Sequence, residues 1–309
     1  MTAGRLGRRR FLAICAAALV VRPEAAQATR WRGHALGAVA EITLRGPEKQ
    51  AARALRAARA TLRRMERLFS LYDPQSDLAR LNRTGRLARP EPEFLALLRL
   101  CGEVHDATGG HFDPTVQPLW QAMSRHRGAP DAAVLRAALS RVGWPGVAFD
   151  REAVRFARPG MAMTFNGIAQ GFATDRVAET LAAYGFAETL VNIGEFRAGE
   201  GSWRVGVEDP RYGLVATRRL ARSAIATSSP AALPFGDSGL GHIVNPTRAL
   251  APPIWSTVSV EAKTAARADG YSTALCLLNR SGVEAVTARV SGLDRVLLIG
   301  ADGERFELA

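Results

Sequence analysis

Asp269 and Thr273 stand four residues apart in the segment Ala268-Asp269-Gly270-Tyr271-Ser272-Thr273. On an α-helix that spacing puts both side chains on one face. A carboxylate and a hydroxyl presented together are hard oxygen ligands suited to Mg²⁺, and substrate phosphates can fill further positions. The same pair also suits a solvated or capping helix face, so spacing alone leaves two readings open. A second segment, Gly167-Ile168-Ala169-Gln170-Gly171-Phe172, sets two glycines before a helix containing Asp175, Val177, Ala178 and Leu181. Glycines permit close backbone approach, and helix-start amides attract an anionic diphosphate. Asn166 to Gly171 does not match the Gly-x-Gly-x-x-Gly dinucleotide fingerprint, and the chain has no phosphate-loop Lys-Ser/Thr motif.

The elements that must position these residues are mixed. Trp31 to Arg45 alternates like an extended strand and is stopped by Gly46-Pro47. Gln50 to Phe69 has helical periodicity, with Leu55, Leu62, Met65 and Phe69 on an inward stripe. Tyr72 to Leu78 reads as a turn in which Ser76 or Asp77 can cap the next element. Glu93 to Thr108 predicts another helix, and Gly109-Gly110-His111-Phe112-Asp113-Pro114-Thr115 an exposed connection. Pro130 to Leu139 predicts a short helix before the turn Gly143-Trp144-Pro145-Gly146. Ala153 to Phe156 reads as extended and Ala169 to Tyr184 as a helix. Glu188 to Ile193, Trp203 to Val207, Ala224 to Thr227, His242 to Val244 and Trp255 to Val260 read as strands. Thr264 to Leu278 predicts the helix that bears Asp269, and Val283 to Ala288 with Arg295 to Ile299 complete a helix and a strand. The fold class expected is α+β, a mixed α/β architecture of intimately packed subdomains without tandem repeats or a clean linker.

The chain has 309 residues, 47% hydrophobic and 23% charged, enough to bury a large core. Residues 1–28 read as a cleavable secretory leader: Arg8-Arg9-Arg10-Phe11-Leu12, an apolar run from Phe11 to Val21, then Ala26-Gln27-Ala28 as a small-residue cleavage signal. Paired arginines before Phe-Leu resemble a twin-arginine leader. The expected location is therefore the periplasm, and residues 29–309 form the expected single catalytic domain. Beyond the leader no run reaches the roughly 18 apolar residues of a membrane span. Removing the leader takes five arginines and Glu24, leaving 36 basic and 28 acidic residues, a net charge of +8. That balance favours phosphorylated ligands or anionic surfaces. The dispersed basic residues lack an aromatic-basic reading motif, so nucleic acid is not an expected partner. Cys15 lies in the leader, while Cys101 and Cys276 sit among apolar residues as expected buried thiols.

Several segments taken in order resemble the ApbE-like FAD:protein FMN transferases. They are Phe69-Ser70-Leu71-Tyr72, Ser76-Asp77-Leu78 with Leu81-Asn82, Thr108 to Thr115, Asn166 to Arg176, Val191-Asn192-Ile193-Gly194-Glu195, Ala226-Thr227-Ser228, His242-Ile243-Val244-Asn245-Pro246 and Asp269 to Thr273. The resemblance spans most of residues 31–300, and its twin-arginine-exported members are associated with nitrous oxide reductase maturation. It implies Mg²⁺-dependent transfer of FMN from FAD to a Thr or Ser hydroxyl of a target flavoprotein, with release of AMP. It implies metal ligation by Asp269, Thr273 and a backbone carbonyl near Ala169. It also implies an FAD site built from Asn166, Gly167, Ala169, Gln170, Gly171, Ala226, Thr227, Ser228 and His242. His242 and Asp269 are the implied catalytic residues. Imidazole has the pKa range for deprotonating the acceptor, though His242 can equally orient ligand or structure. His111 reads as a loop hydrogen-bonding residue. The implied target is an exported or membrane-associated flavoprotein, including components of nitrous oxide respiration.

Four positions depart from the common pattern. Asn166 replaces a frequent aspartate, Gln170 a frequent lysine and Asn245 a frequent aspartate, while Gly194-Glu195 stands where paired glycines are usual. Asn and Gln retain donors and acceptors. An exported FAD-binding protein or flavin chaperone without transfer is the alternative these departures leave open.

Overall fold

The computed structural model describes residues 28–309, so the expected leader, bar Ala28, lies outside the described residues. The stretch from Trp31 to Arg45, expected as one strand, is a hairpin. Strands β1 (Ala28–Ala35) and β2 (Ala38–Arg45) pair antiparallel through Ala35 and Ala38. Leu36 and Gly37 turn the chain at φ 48° and 79°, the double positive-φ geometry of a tight two-residue turn. Leu36 carries none of the usual Asn-Gly signal, which hides the turn in the sequence.

Helix α1 (Glu48–Phe69) buries Ala51, Ala54, Ala58, Leu62, Met65, Leu68 and Phe69, leaving Leu55 half-buried. Ser76 caps α2 (Asp77–Thr84), its hydroxyl accepting from the Ala79 N–H at 3.0 Å. Strand β3 (Arg86–Ala88) and helix α3 (Pro92–Ala107) come next. Helix α4 (Gln117–Arg125) is not expected from the sequence because Pro114 and Pro118 obscure its start; it precedes α5 (Ala132–Leu139). Strands β4 (Val147–Phe149) and β5 (Ala153–Phe156) join β3 in a small sheet of order β3-β5-β4.

Helix α6 (Ala169–Ala183) leads to β6 (Thr189–Ile193) and β7 (Phe196–Ala198), then to β8 (Trp203–Asp209) and β9 (Gly213–Leu220), which pair as a separate ribbon. Strand β10 (Ala224–Ser228) and β11 (Trp255–Ala262) flank a long connection. Helices α7 (Ala265–Leu275) and α8 (Arg280–Arg289) and strands β12 (Leu293–Gly300) and β13 (Arg305–Leu308) complete the chain. His242 to Val244, expected as extended, is irregular; the connection that holds it carries one isolated bridge, between Pro234 and Gly241.

The main sheet runs β1-β2-β6-β7-β10-β11-β12-β13, with every neighbouring pair antiparallel. Its strands alternate, as two-sided strands must: Ala38, Ala40, Ile42 and Leu44 of β2 are buried, with half-buried residues between. One face packs on α1, α6 and α7. The other is covered by the β8–β9 ribbon, where Trp203, Val205 and Val207 meet Phe196, Ile225 and Ile299. Each fully buried Leu, Ile or Phe contributes about 1.5–3 kcal/mol, so two covered faces make the sheet a rigid base. A third apolar cluster joins α4 and α5 to Phe235 and Val244 in the long connection. The architecture is mixed α/β with intimately packed parts, as expected. Cys101 and Cys276 are buried free thiols. Among the described residues no helix is long and apolar enough to cross a membrane.

Candidate functional site

Helices α6 and α7 cross with no room for a side chain between them. A Cβ on Gly171 would lie 2.2 Å from the Ala265 carbonyl oxygen, so only glycine permits the contact. Across the crossing, Asp175 of α6 accepts the Ala265 and Ala266 N–H groups, both at 2.9 Å, and closes the start of α7. Thr264 adds its hydroxyl to the same end. These contacts fix α7 and therefore the face carrying Asp269 and Thr273.

Asp269 is buried, and its Oδ2 accepts the Gly171 N–H at 2.9 Å. Burial pushes its carboxyl up to about 7; the Gly171 N–H opposes the shift and the Asp175 charge adds to it. Thr273 is half-buried, one turn further along the helix. A Cβ on Gly167 would meet the Thr273 Oγ1 at 2.8 Å, so this glycine lets the preceding loop lie against the hydroxyl. Ser228 at the end of β10 bonds Ser272 at 2.8 Å and stands 3.5 Å from Thr273 Oγ1.

The loop before α6 is held from outside. Asn82 of α2 donates to the Met163 carbonyl at 2.8 Å and accepts its N–H at 2.7 Å. Phe165 in the same loop meets Phe69 and Phe94 edge-on, and Phe172 of α6 packs on Phe69, with centroids 5.5–5.8 Å apart. Such edge-to-face pairs add about 0.5–1.5 kcal/mol each. At the start of α6, Ala169 and Phe172 N–H groups go to the Phe165 and Ile168 carbonyls, and the Gly171 N–H goes to Asp269. The amides expected to cradle a diphosphate are thus largely engaged within the protein, and Gly171 enters the site as a donor to Asp269.

These residues open on a cleft of about 660 Å³, within the usual range for sites that enclose an organic ligand. Of the expected site residues, Asn166, Gly167, Ala169, Gln170, Thr227, Ser228, His242, Asp269 and Thr273 line it. Gly171 and Ala226 lie behind the wall. Gln170 donates to the Leu36 carbonyl at 3.3 Å, tying α6 to the β1–β2 turn, while Asn166 is exposed on the rim. Asn245 does not line the cleft. Its Oδ1 accepts the N–H groups of Thr247 and Arg248, both at 2.9 Å, a turn role that asparagine fills as well as aspartate.

Another part of the lining belongs to the connection after β10. His242 donates its backbone N–H to the Leu233 carbonyl at 3.0 Å and accepts from Trp120 Nε1 at 3.1 Å through its carbonyl. Burial drives the imidazole down to about 4, although the Pro230 and Leu233 carbonyls favour its protonated form. Its Nδ1 is buried without a hydrogen-bond partner. His111 also reaches the cleft, and its Nδ1 bonds the Thr108 carbonyl at 2.8 Å, as a loop residue should.

Glu195, which in the sequence marks only a missing glycine, lines the cleft from the β6–β7 turn. It is 8% exposed, and its Oε2 accepts the Thr227 N–H at 3.1 Å. Burial raises its carboxyl well above the usual range, the Asp269 charge raises it further, and the Thr227 N–H opposes both. Its residue type is the available signal: an acid where the chain turns between two buried strands. Tyr72, from the Phe69-Ser70-Leu71-Tyr72 segment, and Trp120, which stands in no motif, also line the cleft. Among the described residues no group of three or more His, Cys, Asp or Glu side chains surrounds a common point.

Fold and cleft together define a mixed α/β protein whose oxygen-rich helix crossing shares a cleft of about 660 Å³ with a half-buried histidine. The chain belongs to the ApbE family, whose model matches residues 36–297. It is 27% identical to a FAD:protein FMN transferase of Klebsiella pneumoniae over 99% of this chain and 93% of that one. It is 25% identical to one of Treponema pallidum, covering 77% and 74%. The apo flavinyl transferase ApbE of Pseudomonas stutzeri superposes with a TM-score of 0.77 at 25% identity, covering 91% and 94%. The Thermotoga maritima ApbE protein shares the fold at a TM-score of 0.81 and 23% identity, covering 91% and 96%.

Proposed function

We propose that this protein is an exported FAD:protein FMN transferase, acting in the periplasm with a divalent cation such as Mg²⁺. The carrying observation is that one cleft gathers unlike groups: buried Asp269 with Thr273 from α7, and His242 from the connection after β10. The donor set fits a hard cation. Asp269 and Glu195 are buried carboxylates, and neither has a Lys, Arg or His ion pair among the described residues. Asp269, Thr273 and the backbone at Ala169 would hold the cation. Once bound, it supplies charge neutralisation and Lewis-acid polarisation at the FAD diphosphate.

The chain's own groups account for the remaining steps. Gly171 aims Asp269, and Ser228 and Thr227 border the phosphate-binding wall. A Thr or Ser hydroxyl of the target flavoprotein attacks the FMN-side phosphorus. A new P–O bond forms to that hydroxyl, the bond to the bridging oxygen breaks, and AMP leaves with that oxygen. The hydroxyl proton passes to His242, which lines the cleft and is neutral at working pH. An incoming diphosphate raises the imidazole's proton affinity, because nearby negative charge favours the cation. The flavin remains oxidised throughout, and FMN ends joined to the target by a phosphoester.

The target class we favour is an exported or membrane-associated electron-transfer flavoprotein, including a component of nitrous oxide respiration. The deciding experiment incubates the protein with FAD, Mg²⁺ and a co-expressed candidate target, followed by intact-mass analysis and AMP quantification. A target heavier by one FMN moiety, with equimolar AMP, supports the reading. Stoichiometric FAD binding that persists without cation and modifies no competent target would replace it with a flavin carrier. Free FMN without a protein adduct would indicate hydrolysis.

A further inference from the structure

The buried carboxylate pair asks for more positive charge than the protein itself supplies. Glu195 is brought to the cleft by the β6–β7 turn, where Gly194 adopts φ 95° and its N–H bonds Asn192 Oδ1 at 3.0 Å. Its backbone carbonyl accepts the Thr174 hydroxyl at 3.3 Å, and its Oε2 takes the Thr227 N–H. The turn is therefore anchored to α6 and to β10 at once. One carboxylate oxygen is used by the scaffold; Oε1 has no protein partner among the described residues and is not sealed in, which leaves it facing the cleft. A buried carboxylate that keeps its charge needs a paired cation or metal. Among the described residues no Arg or Lys reaches Glu195 or Asp269, although Arg197 approaches the neighbouring Asp175 at 3.8 Å.

We propose that Glu195 is a second carboxylate of the cation site, so that this chain holds its divalent ion between Glu195 and Asp269 before FAD arrives. The inference rests on the transferase reading, in which Asp269 and Thr273 bind the cation. Sites for Mg²⁺ commonly use one or two carboxylates and leave other positions to water and substrate phosphates. With one carboxylate the diphosphate must help recruit the ion; with two, the protein recruits it alone. The Gly194-Glu195 departure from paired glycines thus adds a negative charge to the cleft, whereas the departures at Asn166 and Gln170 take away one negative and one positive charge and leave the sum unchanged. The order of assembly is then cation first, FAD second.

The test measures Mn²⁺ binding to the mature protein without FAD, by titration calorimetry and by the loss of free-ion EPR signal, in the parent, E195Q and D269N. The amide introduced by E195Q keeps an oxygen to accept the Thr227 N–H, so the substitution removes charge while preserving the scaffold bond. We expect the parent to bind Mn²⁺ in the absence of flavin. E195Q should bind about 10–100-fold more weakly, a loss typical of perturbed metal surroundings, with an unchanged melting temperature in EDTA. D269N should lose binding altogether. Parent-like affinity in E195Q with binding lost in D269N overturns the role of Glu195 and leaves the Asp269 site standing. Parent-like affinity in both variants overturns the cation site itself. A parent that takes up Mn²⁺ only with FAD present overturns the cation-first order and the proposal with it. Should E195Q fail to fold, E195D takes its place, since it keeps the charge but withdraws it by one methylene. Weakened Mn²⁺ binding in E195D supports the proposal, and parent-like binding counts against it.

Discussion

The two walls of the cleft are built on opposite principles. The α6–α7 wall is a crossing of helices in which nearly every polar group has a designated protein partner, down to the Gly171 N–H on Asp269 and the Asp175 carboxylate on α7. The His242 wall is an irregular connection pinned by scattered backbone bonds and one bridge, and it leaves a buried ring nitrogen unbonded. Under the proposed function the difference divides the labour. Gripping a cation and a diphosphate rewards fixed geometry, which helices supply. In the proposed reaction the His242 connection has the other task, receiving a proton from a group on another protein.

That division can be broken most severely at the rigid wall. D269A should reduce cation-dependent transfer by about a thousand-fold or more, since the charge stabilisation lost is worth several kcal/mol; AMP release at limiting Mg²⁺ is the readout. Undiminished release would remove Asp269 from its role. H242A should lower transfer by about a hundred-fold while FAD affinity stays within a few-fold of the parent, as general-base loss predicts. Equal losses in binding and turnover would make His242 a structural residue instead.

Stability should separate the walls as well. G171A drives a methyl group into the Ala265 carbonyl, at 2.2 Å in the present geometry, and should cost about 3 kcal/mol in urea unfolding. His242 offers a pH test. Its folded pKa of about 4 lies below the ordinary 6.5, so the unfolded chain takes up a proton first as pH falls. The stabilising advantage of the neutral ring is whole above 6.5, shrinks as pH drops and is gone below about 4. Its size is about 3 kcal/mol at 1.36 kcal/mol per unit. The stability difference between the parent and H242N should narrow by about that amount over the window, and referencing to H242N cancels the opposite trend of Asp269. The smallest effect belongs to the S76A cap, about 1 kcal/mol, which should leave transfer untouched.

The rigid wall is also the more legible in sequence. Asp269 and Thr273 can be placed on one helix face because the 3.6-residue period is local, even though the helix is buried nearly all round and carries little amphipathic pattern. Gly171 shows the right property in the sequence, close approach, but the expected neighbour is phosphate. Its actual neighbour is Ala265, and no local pattern reports a contact between helices so far apart along the chain. Glu195 looks like a lost glycine because residue type is visible while its facing toward Asp269 is not. The hairpin at Leu36 is hidden because leucine, not Asn or Asp, precedes Gly37 in the turn. Strand β9 is hidden by the polar run Thr217, Arg218 and Arg219, which looks like a loop until Val215 and Leu220 are seen inward on β8. The His242 connection has no period at all, so its irregular path can be learned only from the fold.

The bond between Gly171 and Asp269 joins residues 98 positions apart, and the Asp175 cap reaches across 90. No stretch of chain ending before α7 contains a finished site, although the sheet strands from β1 to β7 can already pair. During synthesis the cleft is therefore incomplete until Thr273 has left the ribosome, and a chain stalled or cut short of that point lacks half of its site.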